Sequence, residues 1–132
     1  MTRDAEPFEP SPESWEAYRV TEEFSEPQWL TLPALVNVLN VSPSRVKQLI
    51  EDKFLLAIRR DGVLQVPAAF IREGAPLPEL RGTIFVLGDD GFTDVQAMDW
   101  LLNVDDSLGV APIEALRSGR KAEVRRVAQA LA

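Results

Sequence analysis

Leu30-Thr31-Leu32-Pro33-Ala34-Leu35-Val36-Asn37-Val38-Leu39-Asn40-Val41-Ser42-Pro43-Ser44-Arg45-Val46-Lys47-Gln48-Leu49-Ile50 has the spacing of two short helices joined by a tight turn. Leu32, Leu35, Val36 and Leu39 recur at i, i+3, i+4 and i+7, which predicts a helix over residues 32–39 with one apolar face. Thr31 stands at its N-cap, and Pro33 is tolerated in the first turn because that N–H has no helical partner. Asn40 is among the few non-glycine residues at ease in the left-handed conformation that ends a helix. Ser42 and Pro43 then repeat the start signal. The second helix, about residues 43–52, buries Val46, Leu49 and Ile50 and leaves Ser44, Arg45, Lys47, Gln48 and Glu51 outside. Asn40-Val41-Ser42 is the turn, and Val36, Val41 and Val46 fill the wedge between the helices. This is helix-turn-helix grammar.

Residues 55–66 change to strand grammar. Ala57-Ile58-Arg59 and Val63-Leu64-Gln65-Val66 flank Arg60-Asp61-Gly62, and Asp-Gly is a strong hairpin signal. Pro67 ends the second strand, and a short helical turn is expected over residues 68–72, before a loop over residues 74–78. A hairpin with two arginines beside its turn, set directly after the second helix, predicts a winged helix. In such folds the N-terminal part of the second helix enters the major groove of double-stranded DNA. Arginine suits guanine and glutamine suits adenine, so Arg45 and Gln48 are the candidate base readers. Ser44 and Lys47 suit phosphate, while Arg59 and Arg60 on the wing suit the neighbouring backbone or minor groove. The bland alternative is a helical hairpin with a solvated charged face, and the wing weighs against it.

Composition narrows the function. The 132-residue chain has no cysteine and no histidine. Disulfides and thiolate chemistry are excluded, and so are the commonest metal ligand and the commonest general base near neutral pH. The expectation is a non-enzymatic protein with no catalytic residues, cofactor or metal site. Asp89-Asp90, Asp94 and Asp105-Asp106 do not have the spacing of a calcium loop and read as solvated surface. No apolar run approaches the ~18 residues of a membrane span, and the N-terminus lacks the core of a signal peptide, which predicts a cytoplasmic protein.

The net charge of −7 opposes DNA binding, but its distribution does not. Residues 1–28 carry net −6 and residues 73–112 net −7. Residues 40–72 carry net +3, as do residues 113–132. The positive charge lies on the motif, and the acidic remainder points to a weak or regulated binder rather than an avid one.

Residues 1–28 combine four prolines with many glutamates and read as an acidic, partly disordered arm. Trp15, Tyr18 and Phe24 suggest a short docked helix over residues 13–24. Beyond the wing, Thr83, Ile84, Phe85 and Val86 favour a strand within residues 80–87 by propensity. Thr93 and Gln96 form a capping box for a helix over residues 94–102. An acidic loop, a short helix from Pro112 to near Gly119 and a last helix over residues 120–131 are expected after it. Trp100 reads as core. The basic cluster Arg117, Arg120, Lys121, Arg125 and Arg126 reads as helix surface, as an added phosphate contact, or as neutralising the acidic loop.

Residues 30–67 resemble the winged helix of excisionase-like and MerR-type DNA-binding domains. The strings Leu77-Pro78-Glu79-Leu80-Arg81-Gly82-Thr83, Asp90-Gly91-Phe92, Ala97-Met98-Asp99-Trp100-Leu101, Pro112-Ile113-Glu114-Ala115-Leu116 and Glu123-Val124-Arg125-Arg126-Val127-Ala128 are more specific. They resemble the actinobacterial DNA-binding proteins typified by the mycobacterial substrate of serine/threonine protein kinase L. The resemblance covers about residues 29–132. It implies a mainly α fold with a small β-hairpin wing, in which a winged helix-turn-helix (residues 29–73) carries a helical C-terminal subdomain (residues 74–132) packed on it. It also implies that residues 80–87 are helical, against their propensity. In function it implies a transcriptional or nucleoid-associated DNA-binding regulator controlled by a Ser/Thr protein kinase acting on an N-terminal tail. Asn40 stands where a glycine is usual, and Val36 where alanine is favoured. The arm does not match the family's phosphorylated tail, so Thr2 and Thr21 are candidates only. The rival reading is a protein-interaction module, antitoxin-like or an adaptor, using the C-terminal helices.

Overall fold

The structure, a computed structural model, describes residues 28–131. The acidic arm, with the helix expected over residues 13–24 and both candidate threonines, lies outside the described residues.

Strand β1 (Trp29–Thr31) runs directly into α1 (Leu32–Leu39) and, after a three-residue turn, α2 (Pro43–Glu51). Pro33 sits in the first turn of α1, and Asn40 ends that helix in the left-handed region at φ 57°. Thr31 occupies the N-cap but its hydroxyl makes no capping bond; its backbone pairs with Gln65 in the sheet instead. Ser42 does cap α2, accepting the N–H of Arg45 at 3.1 Å. The wing consists of β2 (Ile58–Arg60) and β3 (Val63–Pro67). Its two-residue turn puts both Asp61 (φ 56°) and Gly62 (φ 80°) at positive φ, the geometry whose twist matches a hairpin. Strand β3 is central, pairing antiparallel with β2 on one side and β1 on the other.

The expected short helical turn is present as a 3-10 turn (Ala68–Phe70), and it leads to a second hairpin, β4 (Ile71–Arg72) and β5 (Ala75–Pro76), in place of the end of that turn and the plain loop expected after it. Four helices come after it: α3 (Leu80–Asp89), α4 (Asp94–Leu102), α5 (Pro112–Arg117) and α6 (Lys121–Gln129). The capping box of α4 is present in full, with Thr93 and Gln96 exchanging both hydrogen bonds. The strand propensity of residues 83–86 is overridden. Leu80, Thr83, Ile84 and Leu87 are the buried residues of α3, a 3.6-residue period that only a helix satisfies. The buried Thr83 hydroxyl donates to the Glu79 carbonyl, as a helix allows.

One apolar cluster runs through both halves, from Leu35, Val46 and Val66 through Phe70, Leu77 and Leu87 to Leu116, Val124 and Ala128. Among the described residues no helix is long and apolar enough to cross a membrane.

Candidate nucleic-acid interface

Helix α2 has two sharply different sides. Val46 and Leu49 are buried and Ile50 is half-buried, whereas Ser44, Arg45, Lys47 and Gln48 are all exposed. At about 100° per residue, those four side chains share an arc of roughly 160° opposite the buried face. The structure therefore brings together the α2 residues singled out in the sequence. The face offers a guanidinium, an ammonium, an amide and a hydroxyl. The Ser44 hydroxyl lies 3.3 Å from that of Ser42. Gln48 is not idle, because its Nε2 donates to the Asp52 carboxylate at 3.1 Å. In the wedge, Val46 is fully buried while Val36 and Val41 are half-buried against the core.

The two wing arginines are not equivalent. Successive side chains on a strand point to opposite faces, so Arg59 and Arg60 diverge. Arg59 is exposed, pairs across the ladder with Leu64, and folds back to donate to the Gly62 carbonyl at 3.2 Å. Arg60 is half-buried, with its guanidinium 4.3 Å from the centroid of the Trp29 ring, a cation–π contact. The sequence presented them as a pair; the strand separates them.

The C-terminal end of α2 holds the residues that sequence reasoning missed. Arg81, from α3, donates from Nε to the Asp52 carbonyl at 2.8 Å. Its guanidinium lies 4.6 Å from the Phe54 ring centroid and 4.9 Å from that of Phe85. Lys53 takes the left-handed conformation at φ 69°, and its Nζ lies 3.8 Å from Asp94 of α4. One signal was available: Arg81 is the single basic residue in the acidic stretch 73–112.

The basic C-terminal cluster is largely occupied within the fold. Arg117 donates to the carbonyls of Ala69 (2.9 Å) and Ile71 (3.1 Å), tying α5 to the segment after the wing, and Arg72 returns a bond to the Arg117 carbonyl. Arg120 binds the Leu108 carbonyl and both carboxylate oxygens of Glu123. Its hydrogen bonding holds Glu123 below the usual carboxylate range. The Arg125 guanidinium lies against Gly82, where a side chain would collide with it. Trp100 is half-buried and donates to Asp105 at 3.0 Å. A cleft of about 590 Å³ lined by Asp90, Phe92, Gln96, Asp99 and Trp100, among others, contains none of the α2 or wing residues.

The family described as "DNA-binding protein Rv2175c, wHTH domain" matches residues 24–71, and that described as "Rv2175c C-terminal domain of unknown function" matches residues 77–132. The DNA-binding protein Rv2175c of Mycobacterium tuberculosis (strain ATCC 25618 / H37Rv) is 32% identical over 114 residues, covering 76% of this chain and 78% of the relative. The NMR structure of Rv2175c superposes with a TM-score of 0.74 at 31% identity, covering 80% of this chain and 82% of that one.

Proposed function

The chain belongs to the Rv2175c family, and from that premise we propose that it is a non-enzymatic protein that binds double-stranded DNA through α2 and the wing. One observation carries the reading. Ser44, Arg45, Lys47 and Gln48 occupy a single exposed arc on the second helix of a winged helix-turn-helix, backed by a buried face. Arg45 and Gln48 read base edges, Ser44 and Lys47 contact phosphate, and Arg59 reaches the flanking backbone or minor groove. Arg60 supports that contact from its stack on Trp29.

In the cell the protein acts as a cytoplasmic transcriptional or nucleoid-associated regulator. Residues 1–28 carry net −6 and compete with phosphate for the basic face. Phosphorylation at Thr2 or Thr21 by a Ser/Thr kinase adds up to about two negative charges and strengthens that competition. Deleting residues 1–26 then tightens DNA binding, and an unchanged affinity refutes the competition.

The test of DNA binding is an anisotropy titration of a labelled random-sequence 30-base-pair duplex pool at low salt. Arg45→Ala combined with Lys47→Ala is expected to weaken binding at least tenfold, since each lost charged contact is worth on the order of 1 kcal/mol or more. Equal affinity of the double variant and the parent rejects α2 as the docking element.

A further inference from the structure

The DNA-facing arc accounts for the N-terminal two turns of α2 but not for the grip on its other end. Resting on the DNA-binding function, we propose that the C-terminal helices position the recognition helix through Asp52. Arg81 holds the Asp52 carbonyl, the Asp52 carboxylate orients Gln48, and both residues thereby act as positioning residues for base readout.

The end of α2 is unusual for its residue types. The N–H of Lys53 bonds the Ile50 carbonyl at 3.1 Å, and that of Phe54 bonds the Leu49 carbonyl at 2.9 Å. These are the two bonds of a Schellman closure, with Lys53 in the left-handed position that glycine normally takes. A lysine accepts that conformation only where its surroundings hold it. Here Asp94 faces its ammonium, and Leu55 and Leu56, the next two residues after Phe54, are buried in the core.

Among the described residues the closure leaves the Asp52 carbonyl without a backbone donor, and Arg81 supplies one at 2.8 Å. A positive group at a helix C-terminus is also favoured by the helix dipole. Phe54 and Phe85 flank the guanidinium, so its plane, and with it the direction of the Nε–H, is fixed by two rings. Lysine in place of Arg81 would keep the charge and lose that direction.

The second half of the relay is the side chain of the same residue. A carboxylate only accepts hydrogen bonds, so Gln48 must turn its nitrogen toward Asp52. The amide oxygen and the second Nε2 proton then remain for DNA. An acceptor beside a donor is the pair that matches N6–H and N7 of adenine in the major groove. Without Asp52 the amide samples both orientations, one of which presents the wrong edge.

Selection from the random 30-base-pair duplex pool, with the full chain and its Gln48→Ala, Asp52→Ala, Arg81→Ala and Arg81→Lys variants, tests the relay. The parent is expected to prefer adenine by roughly tenfold at one position, a preference that Gln48→Ala abolishes. Asp52→Ala, which keeps the backbone carbonyl, relaxes that same position and no other. Arg81→Lys relaxes it as well, and it keeps the test open should Arg81→Ala fail to fold. A purely structural role predicts something different, a uniform loss across all positions, and that result overturns the inference. So does an unchanged preference in Asp52→Ala, or full retention of it in Arg81→Lys. A parent that binds the pool but enriches no sequence overturns the relay and leaves DNA binding standing. A parent that binds no duplex at all removes both.

Discussion

Raising the salt from 50 to 200 mM is expected to weaken duplex binding about 40-fold, a figure set by the cations on the docking face. In the proposed docking Lys47 and Arg59 contact phosphate and the charge of Arg60, held on the Trp29 ring beside that wing contact, counts as a third, with Arg45 spent on a base. Three neutralised phosphates give a slope of log affinity against log salt of about −2.7, and a fourfold change in salt then costs about 40-fold. Lys47→Ala removes one contact, so the slope falls to about −1.8 and the loss over the same range to about 12-fold. Arg45→Ala lowers affinity and relaxes base preference with a smaller effect on slope. Anisotropy titrations of the labelled pool at 50, 100 and 200 mM NaCl provide all three numbers. The acidic helices do not alter the count, because the Debye length at 0.1 M is about 10 Å and the slope reports ions released at the interface. A parent slope steeper than about −6 would refute the reasoning, since it would require phosphate contacts from the arginines of α5 and α6. An unchanged slope in Lys47→Ala would refute it equally.

Other substitutions test the scaffold. Asn40→Ala places an alanine at φ 57° and is expected to cost about 1 kcal/mol, whereas Asn40→Gly stays closer to the parent; urea unfolding of the two decides. Arg117→Met keeps the aliphatic stem but removes both bonds to Ala69 and Ile71, and a loss of about 1.5 kcal/mol by the same method is expected. Glu123 has its folded pKa depressed by Arg120, so its contribution is present above the ordinary carboxylate range and is lost as pH falls through the depressed value. Glu123→Gln should therefore flatten thermal stability against pH on the acidic side of about pH 5 and leave the profile near pH 7 unchanged in shape.

The sequence was most legible where one residue type has one local use. Asn40 at a helix end, Ser42 before Pro43, Asp61-Gly62 between strands, and Thr93 with Gln96 each act through their own backbone or the next turn. All four stand in the structure where the pattern put them. The short strand β1 was not legible, because three residues carry no period and their pairing partners are the distant residues Gln65, Val66 and Pro67. Residues 83–86 misled by propensity, although Leu80, Ile84 and Leu87 already had helical spacing; β-branched side chains yielded to burial. The arginines were the hardest to place. Whether an arginine faces DNA or a carbonyl depends on which backbone groups are left without partners, and that is a property of the assembled chain. Arg81 and Arg117 found such carbonyls, and Arg60 found a tryptophan ring.

These arginine contacts give the winged helix a reason to carry its C-terminal helices. The elements proposed to face DNA are supported from behind by them. Arg81 closes the end of α2, and Arg117 holds the carbonyls just beyond the wing. Trp29 and Ile58 of the sheet share a groove with Val95, Met98 and Leu102 of α4. The supporting half is also acidic, net −7 over residues 73–112 offset in part by net +3 over residues 113–132, while residues 40–72, with the second helix of the motif and the wing, bear net +3. A molecule charged in this way is attracted to a polyanion by one side and repelled by another. Attraction is thereby weakened in total but made strongly dependent on orientation, so encounters that present α2 and the wing are retained over those that do not. In this chain an acidic total charge and a DNA-binding face are compatible, because the first suppresses the non-specific attachments that the second does not use.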